Sequence, residues 1–247
     1  MSISPRLMRT GLLLGEQGIE ALQQATVMVA GVGAVGGYAL EAVARAGVGH
    51  LILVDFDVFD ETNINRQILA LGSTVGRKKI EVAKGRVLDI NPHCEVEVRE
   101  VFINNDTLPA LLDEKVDFVI DAIDSLNSKC CLIEALLARG IPFISSMGAA
   151  LRTDTSFIKL GTLDKTKNCG LAKHLRQRLR RRGADIKKVR CVYSDEPADE
   201  RRKQAVVVNV NPEERNVLGS LPTITAIFGL MMANEVIKTL AGVEKGK

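Results

Sequence analysis

Along the first 147 residues, short apolar runs alternate with stretches whose apolar positions recur at helical spacing, the periods of strand and amphipathic helix. Thr26–Ala30 (TVMVA) predicts a strand that runs straight into Gly31-Val32-Gly33-Ala34-Val35-Gly36. A helix follows, with Ala39, Leu40, Val43 and Ala44 on one face, and ends near Gly47. Leu51–Val54 predicts a second strand, which delivers Asp55 and Asp57 at its C-terminal end. Ile80, Ala83, Val87 and Ile90 mark a helix stopped by Asn91-Pro92. Glu95–Val101 alternates as a strand, and Phe118–Ile120 is another that leads into Asp121-Ala122-Ile123-Asp124. Ser125 is placed to cap a helix carrying Leu132, Ile133, Leu136 and Leu137, and Pro142–Met147 predicts the next strand.

This alternation predicts an α/β fold, a Rossmann-like, doubly wound and mostly parallel sheet. Beyond Gly148 the rhythm changes. Thr155–Leu163 reads as extended and antiparallel; a basic helix and a strand at Arg190–Tyr193 follow, giving a C-terminal antiparallel extension. Residues 195–216 lack clear periodicity and predict a mobile loop. The expected organisation is a single domain over 1–247: a helical arm to about residue 25, a nucleotide-binding core over 26–147, and a C-terminal portion over 148–247. Val217 to Asn234 carries no charge, but Gly219, Ser220, Pro222, Thr223, Thr225 and Asn234 interrupt it. A buried helix beginning near Pro222 is expected there, and no membrane span.

Composition sharpens this picture in two places. Trp is absent and aromatics are 4%, so the core rests on aliphatic residues, as strands buried on both faces require. The net charge of +3 is unevenly placed: Lys173 to Arg190 holds nine Lys or Arg and one acid, +8 against −5 for the remainder. Such a block is either a solvated helix face or a polyanion contact. The five cysteines form no CxxC pair, which excludes a structural zinc site built from such pairs, and the odd count suits reduced thiols in the cytoplasm. The start, MSISPRLMRTG, has no apolar core of a secretory signal.

The candidate chemistry begins at Gly31, Gly33 and Gly36. A glycine turn between strand and helix lets backbone approach a phosphate, and the helix N-terminus offers free N–H groups. Asp55, 22 residues past Gly33, is placed to accept ribose hydroxyls. That pattern suits NAD and ATP alike. Thr62-Asn63-Ile64-Asn65-Arg66-Gln67 and Val75-Gly76-Arg77-Lys78-Lys79 favour ATP, because expelling pyrophosphate builds negative charge that cations stabilise. Asp124, at a strand end, is a candidate magnesium ligand.

The segments GVGAVG (31–36), DFD (55–57), TNINRQ (62–67), VGRKK (75–79), INP (90–92) and DAID (121–124) together resemble the ubiquitin-activating, or E1-like, adenylating superfamily. The resemblance implies that Gly31, Gly33, Ala34, Val35 and Gly36 face the phosphates and that Asp55 holds the ribose with Asp57 beside it. It implies that Asn63, Asn65, Arg66, Gln67 and Lys79 line the triphosphate, that Asp124 with Ser125 closes the site, and that Asp124 binds Mg2+; a monovalent cation stays open. Arg66, Lys79, Asp124 and Arg9 would be the catalytic set. Arg6 and Arg9 match an N-terminal arginine motif that in this family reaches the other subunit's site, which implies a homodimer.

Within the superfamily, Asp154, Thr155, Ile158, Asp164, Lys165, Thr166, Leu171, Ala172 and Arg176 are similar to the branch that dehydrates N6-threonylcarbamoyladenosine in tRNA, as are CVYSDEP (191–197) and GSLPTITAIFGLMMANEVIK (219–238). One departure is Cys169-Gly170, where that branch has Asp-Pro. The implied reaction adenylates the modification's carboxylate and closes a ring with loss of AMP. Residues 148–247 then become the substrate and dimer portion. Arg176, Arg178, Arg180, Arg181, Arg182, Lys187 and Lys188 become candidates for tRNA phosphate contact, with DNA not expected. Three alternatives remain: adenylation of a sulfur-carrier protein's C-terminal Gly-Gly, with sulfur-transfer proteins as partners, a scaffold without turnover, and a nicotinamide dehydrogenase. For Cys191, a small buried hydrophobe is expected rather than a nucleophile.

Overall fold

The computed structural model describes residues 3–113, 115–197, 206–210 and 213–243; for 206–210 and 213–217 the description is of backbone alone. The elements in chain order are α1 (Met8–Gln24), β1 (Thr26–Ala30), α2 (Gly36–Ala46), β2 (His50–Val54), α3 (Lys79–Ile90), β3 (Glu95–Arg99), α4 (Leu108–Leu111), β4 (Phe118–Asp121), α5 (Leu126–Arg139), β5 (Phe143–Ser146), β6 (Ile158–Thr162), α6 (Gly170–Arg181), β7 (Arg190–Ser194), β8 (Val206–Val210), β9 (Glu213–Val217) and α7 (Pro222–Leu240).

Seven strands form one sheet in the order β3-β2-β1-β4-β5-β7-β6. All neighbours are parallel except β6, which runs antiparallel to β7. Strand alternation then divides the core. Val27, Val29, Phe118 and Ile120 face a layer holding α2, α3 and α7 through Leu40, Val43, Ile80, Phe228 and Met232. Met28, Ala30 and Val119 face the other layer, where α5 and α6 contribute Leu132, Ile133, Leu136, Leu175 and Leu179. The doubly wound, mostly parallel sheet with an antiparallel extension is therefore present as expected.

α7 begins at Pro222, where a missing N–H is harmless. Its length and apolarity would suit a membrane span, yet Ile224, Phe228, Met232, Ala233 and Val236 are fully buried in the protein core. The expected loop over 195–216 is corrected in part. Residues 198–205 and 211–212 lie outside the described residues, but β8 and β9 pair as an antiparallel hairpin. Val206-Val207-Val208 has the β-branched composition of a strand.

Candidate active site

The strand order reverses direction of winding between β1 and β4, and a crevice at such a point, beyond the strands' C-terminal ends, is where ligands bind in open α/β sheets. The glycine turn fills one side of it. Gly31 adopts φ 88°, and a Cβ there would meet the Ala122 carbonyl at 2.9 Å; a Cβ on Gly36 would lie 1.8 Å from the Gly31 carbonyl. No other residue type fits both constraints. The turn delivers the N-terminus of α2, where Val35 is the cap residue and no side chain caps the helix, leaving for an anion the first-turn N–H groups other than that of Gly37, which donates to the Gly33 carbonyl at 3.0 Å.

Asp55, nearly buried at the end of β2, braces this turn: Oδ2 accepts the Val32 N–H at 2.7 Å and Oδ1 accepts the Asp57 N–H at 2.9 Å. Each carboxylate oxygen retains capacity for a second donor such as a ribose hydroxyl. Asp57 turns its own carboxylate to Lys79, with Nζ 2.9 Å from Oδ2, and the Lys79 side chain is almost buried. The Lys79 backbone N–H also donates to the Asp57 carbonyl at 3.0 Å, so α3 starts against the β2 loop.

The 62–67 segment is organised by local capping. The Asp60 carboxylate accepts the Thr62 N–H at 2.8 Å, and Asn63 Oδ1 accepts the Asp60 N–H at 3.3 Å. Arg66, half-buried, donates to the Thr62 carbonyl at 2.8 Å and to Asn65 Oδ1 at 2.9 Å. Its burial pulls the guanidinium pKa down, while the charge of Asp124 opposes that shift. Asp124 itself is exposed at the end of the loop after β4. Asn65 Nδ2 donates to the Ser220 carbonyl, away from its own loop. Gln67 is buried, and its Oε1 finds no hydrogen-bond partner among the described residues. Its amide nitrogen lies 3.9 Å from where a Cβ on Gly33 would stand. Ser125 occupies the N-cap of α5 without the expected side-chain hydrogen bond to the helix.

Beneath Asp124 lies a network that sequence reading missed. Lys129, fully buried, donates to Asp121 Oδ2 at 2.8 Å and to Ser145 Oγ at 3.2 Å; Ser145 Oγ donates to the same carboxylate oxygen at 2.6 Å. Asp121 Oδ1 accepts the Ile123 N–H at 3.2 Å and so shapes the turn that carries Asp124. The available signal was a lone lysine amid Cys130, Leu132, Ile133 and Leu136.

Other candidates fall outside the crevice. Arg6 is tied to the Asp89 and Ile90 carbonyls at the far end of α3, beside a pocket of about 350 Å³ at the opposite end of the sheet from the crevice. Arg9 is exposed on α1 and shares its helical face with Leu12 and Leu13, which are 84% and 83% exposed. In the basic block, Arg176 is committed to Thr166, Arg178 to Asn127 and Arg182 to Glu134. Arg180, Arg181, Lys187 and Lys188 are exposed. Cys191 is completely buried on β7, and burial pushes its thiol up to about 12. Cys169 caps α6, its sulfur accepting the Ala172 N–H at 3.4 Å, a weak version of the cap that an aspartate makes.

A cleft of about 210 Å³ lies between Leu151, Arg152 and Thr153 on one wall and Gly219, Ser220 and Leu221 on the other. Arg152 is buried and donates to the Glu196 and Asn168 carbonyls, fixing the end of the β7 segment to the turn before α6.

The chain is 40% identical over 238 residues to a tRNA threonylcarbamoyladenosine dehydratase of Bacillus subtilis, covering 94% of this chain and 93% of that protein. A crystal structure of E. coli tRNA N6-threonylcarbamoyladenosine dehydratase in complex with ATP superposes with a TM-score of 0.86 at 34% identity, covering 98% of each chain. A molybdopterin-synthase adenylyltransferase of E. coli is 36% identical over 137 residues, covering 56% of this chain and 54% of that protein. The ThiF family model matches residues 6–247, and the chain belongs to the ThiF family.

Proposed function

We propose that this protein uses ATP to adenylate the carboxylate of N6-threonylcarbamoyladenosine in tRNA, and then cyclises the modification with loss of AMP. The observation that carries the reading is a glycine turn braced by Asp55, which also holds the N–H of Asp57, the partner of Lys79, together with an Arg66 guanidinium that feels the Asp124 charge. In the first step a carboxylate oxygen attacks the α-phosphorus and pyrophosphate leaves. The α2 N-terminus and Gly33 to Gly36 cradle the phosphates, Asp55 holds the ribose, and Asn63 and Gln67 line the pocket. Arg66 and Lys79 stabilise charge on the departing oxygens. Asp57 holds the Lys79 ammonium in place beforehand, so little reorganisation accompanies the step. In the second step the modification's own carbamoyl group attacks the acyl carbon, gives up a proton and closes the ring as AMP departs, so the substrate loses the elements of water. No enzyme thiol takes part, which suits the buried Cys191 and the capping Cys169.

Asp124 presents a hard, exposed oxygen donor, which fits Mg2+. Bound there, the ion would neutralise phosphate charge. The exposed Leu12 and Leu13 flanking Arg9 suit burial against a second copy, carrying Arg9 towards that copy's crevice. Arg180, Arg181, Lys187 and Lys188 would meet tRNA phosphates. The five free cysteines suit a reducing compartment such as the cytoplasm.

The test is AMP and pyrophosphate release by purified protein with ATP and Mg2+. We expect release with tRNA bearing threonylcarbamoyladenosine and none with a Gly-Gly carrier protein. Release with the carrier alone would move the assignment to sulfur-carrier activation.

A further inference from the structure

The side-chain amide of Asn65 is committed at both ends. Its Oδ1 accepts from an Arg66 guanidinium nitrogen at 2.9 Å, and its Nδ2 donates to the Ser220 carbonyl at 3.2 Å, 155 residues further along the chain. The donor and acceptor assignments are mutually consistent, since each end of the amide meets the opposite function. Ser220 lies in one wall of the 210 Å³ cleft, and that wall is joined to the other by the Leu151 N–H donating to the Gly219 carbonyl at 2.8 Å. Leu151 is held at φ 61°, a left-handed conformation that a leucine keeps only where its surroundings impose it. Thr225, in the first turn of α7, also reaches the Arg66 carbonyl, at 3.5 Å. A continuous hydrogen-bonded path therefore runs from Leu151 across the cleft wall to the Arg66 guanidinium.

We propose that Asn65 is a positioning residue and not a nucleotide ligand: it ties the Arg66 guanidinium to the wall of the 151–153/219–221 cleft, so that the group attacking ATP and the cation receiving the leaving phosphates are held as one body. The proposal rests on the adenylation reading. A guanidinium with several rotatable bonds stabilises a transition state only when its direction is fixed in advance, and small displacements of such groups cost rate. Thr62 and Asn65 hold one guanidinium nitrogen, Nη1, which leaves Nη2 and Nε for phosphate oxygens. The amide keeps a second N–H and a second lone pair, but its orientation is set by Arg66 and Ser220 together.

The experiment compares full-length wild type, Asn65→Ala, Arg66→Ala and the double variant in steady-state AMP release, with ATP and substrate varied separately. Asn65→Ala is expected to lower kcat by about 10–100-fold while the KM for ATP moves less than about threefold, the pattern of an interaction expressed in the transition state. Added to Arg66→Ala it should change nothing more, because its effect runs through that residue. If Asn65→Ala fails to fold, Asn65→Ser, too short to span both partners, is read in the same way. A large rise in the KM for ATP with kcat unchanged, an unaltered kcat, or independent effects in the double variant would each overturn the proposal. Failure of wild type on tRNA concerns the substrate assignment instead, and the same four proteins are then compared with a Gly-Gly carrier protein as carboxylate donor.

Discussion

Lys129 survives in an apolar core because its charge is matched: Asp121 and Ser145 meet it within hydrogen-bonding distance, all three with no exposed surface. Removing one partner of such a pair strands the other charge, so Lys129→Met should cost about 3–5 kcal/mol, whereas replacing both charges together should restore much of that. Urea unfolding of the single and double variants checks this, and a cost near zero for Lys129→Met would refute it. Cys191 lies beside this network. With its thiol at about 12, raised first by burial, it remains protonated across the neutral range and becomes a thiolate only as pH rises towards that value. Folded protein at pH 8 should therefore resist iodoacetamide at Cys191, and Cys191→Ala should retain AMP release within about threefold, since the reaction needs no sulfur nucleophile. Peptide mapping that finds Cys191 alkylated first, ahead of the partly exposed Cys131, would argue for an activated thiol instead.

Among the elements, α7 bears most directly on catalysis. It crosses α2 so closely that a Cβ on Gly229 would stand 2.4 Å from the Val35 carbonyl and 2.9 Å from the Tyr38 side chain. Val35 belongs to the glycine turn, so crowding there reaches the proposed phosphate site. Gly229→Ala is expected to destabilise the fold by about 1–3 kcal/mol, the usual result of overpacking, and to raise the KM for ATP. An unchanged melting temperature would show that the helices separate freely. Most elements that form the crevice were legible in the sequence because they combine an apolar run with a Gly or Pro boundary. β1 with Gly31, β2 with Asp55, α3 with Asn91-Pro92 and α7 with Pro222 all appear where that logic places them. What stayed hidden has physical reasons. α4 spans Leu108–Leu111, too short to show a helical period. The β8–β9 hairpin was read as loop because β9, Glu-Glu-Arg-Asn-Val, has no apolar alternation of its own. In the site, residue types were legible but pairings were not. Nothing local marks Asp57 as the partner of Lys79, or Ser220 as that of Asn65, because folding alone brings those atoms together.

For the whole molecule, the separation of charge bears on how a large anionic substrate would be held. The block from Lys173 to Arg190 looks uniform in sequence, but folding sorts it into two groups. Arg176, Arg178 and Arg182 spend their donors on Thr166, Asn127 and Glu134, and so tie α6 to its surroundings. Arg180, Arg181, Lys187 and Lys188 are exposed, and their side chains contribute field without packing. Each phosphate they neutralise should release condensed counterions, which makes tRNA binding steeper in salt by about 0.7–0.9 per contact. Replacing those four with alanine should then flatten the plot of log Kd against log salt by about 3, if each meets one phosphate. Threonylcarbamoyladenosine recognition should be untouched, because phosphate contacts position the RNA without reading its bases. Arg182→Ala should behave differently: it removes an exposed ion pair worth about 0–1 kcal/mol, with little effect on the slope. Fluorescence anisotropy of labelled tRNA over a salt series measures both. A quadruple variant whose slope matched wild type would place the RNA on another face of the protein, and the block would then be a solvated helix surface.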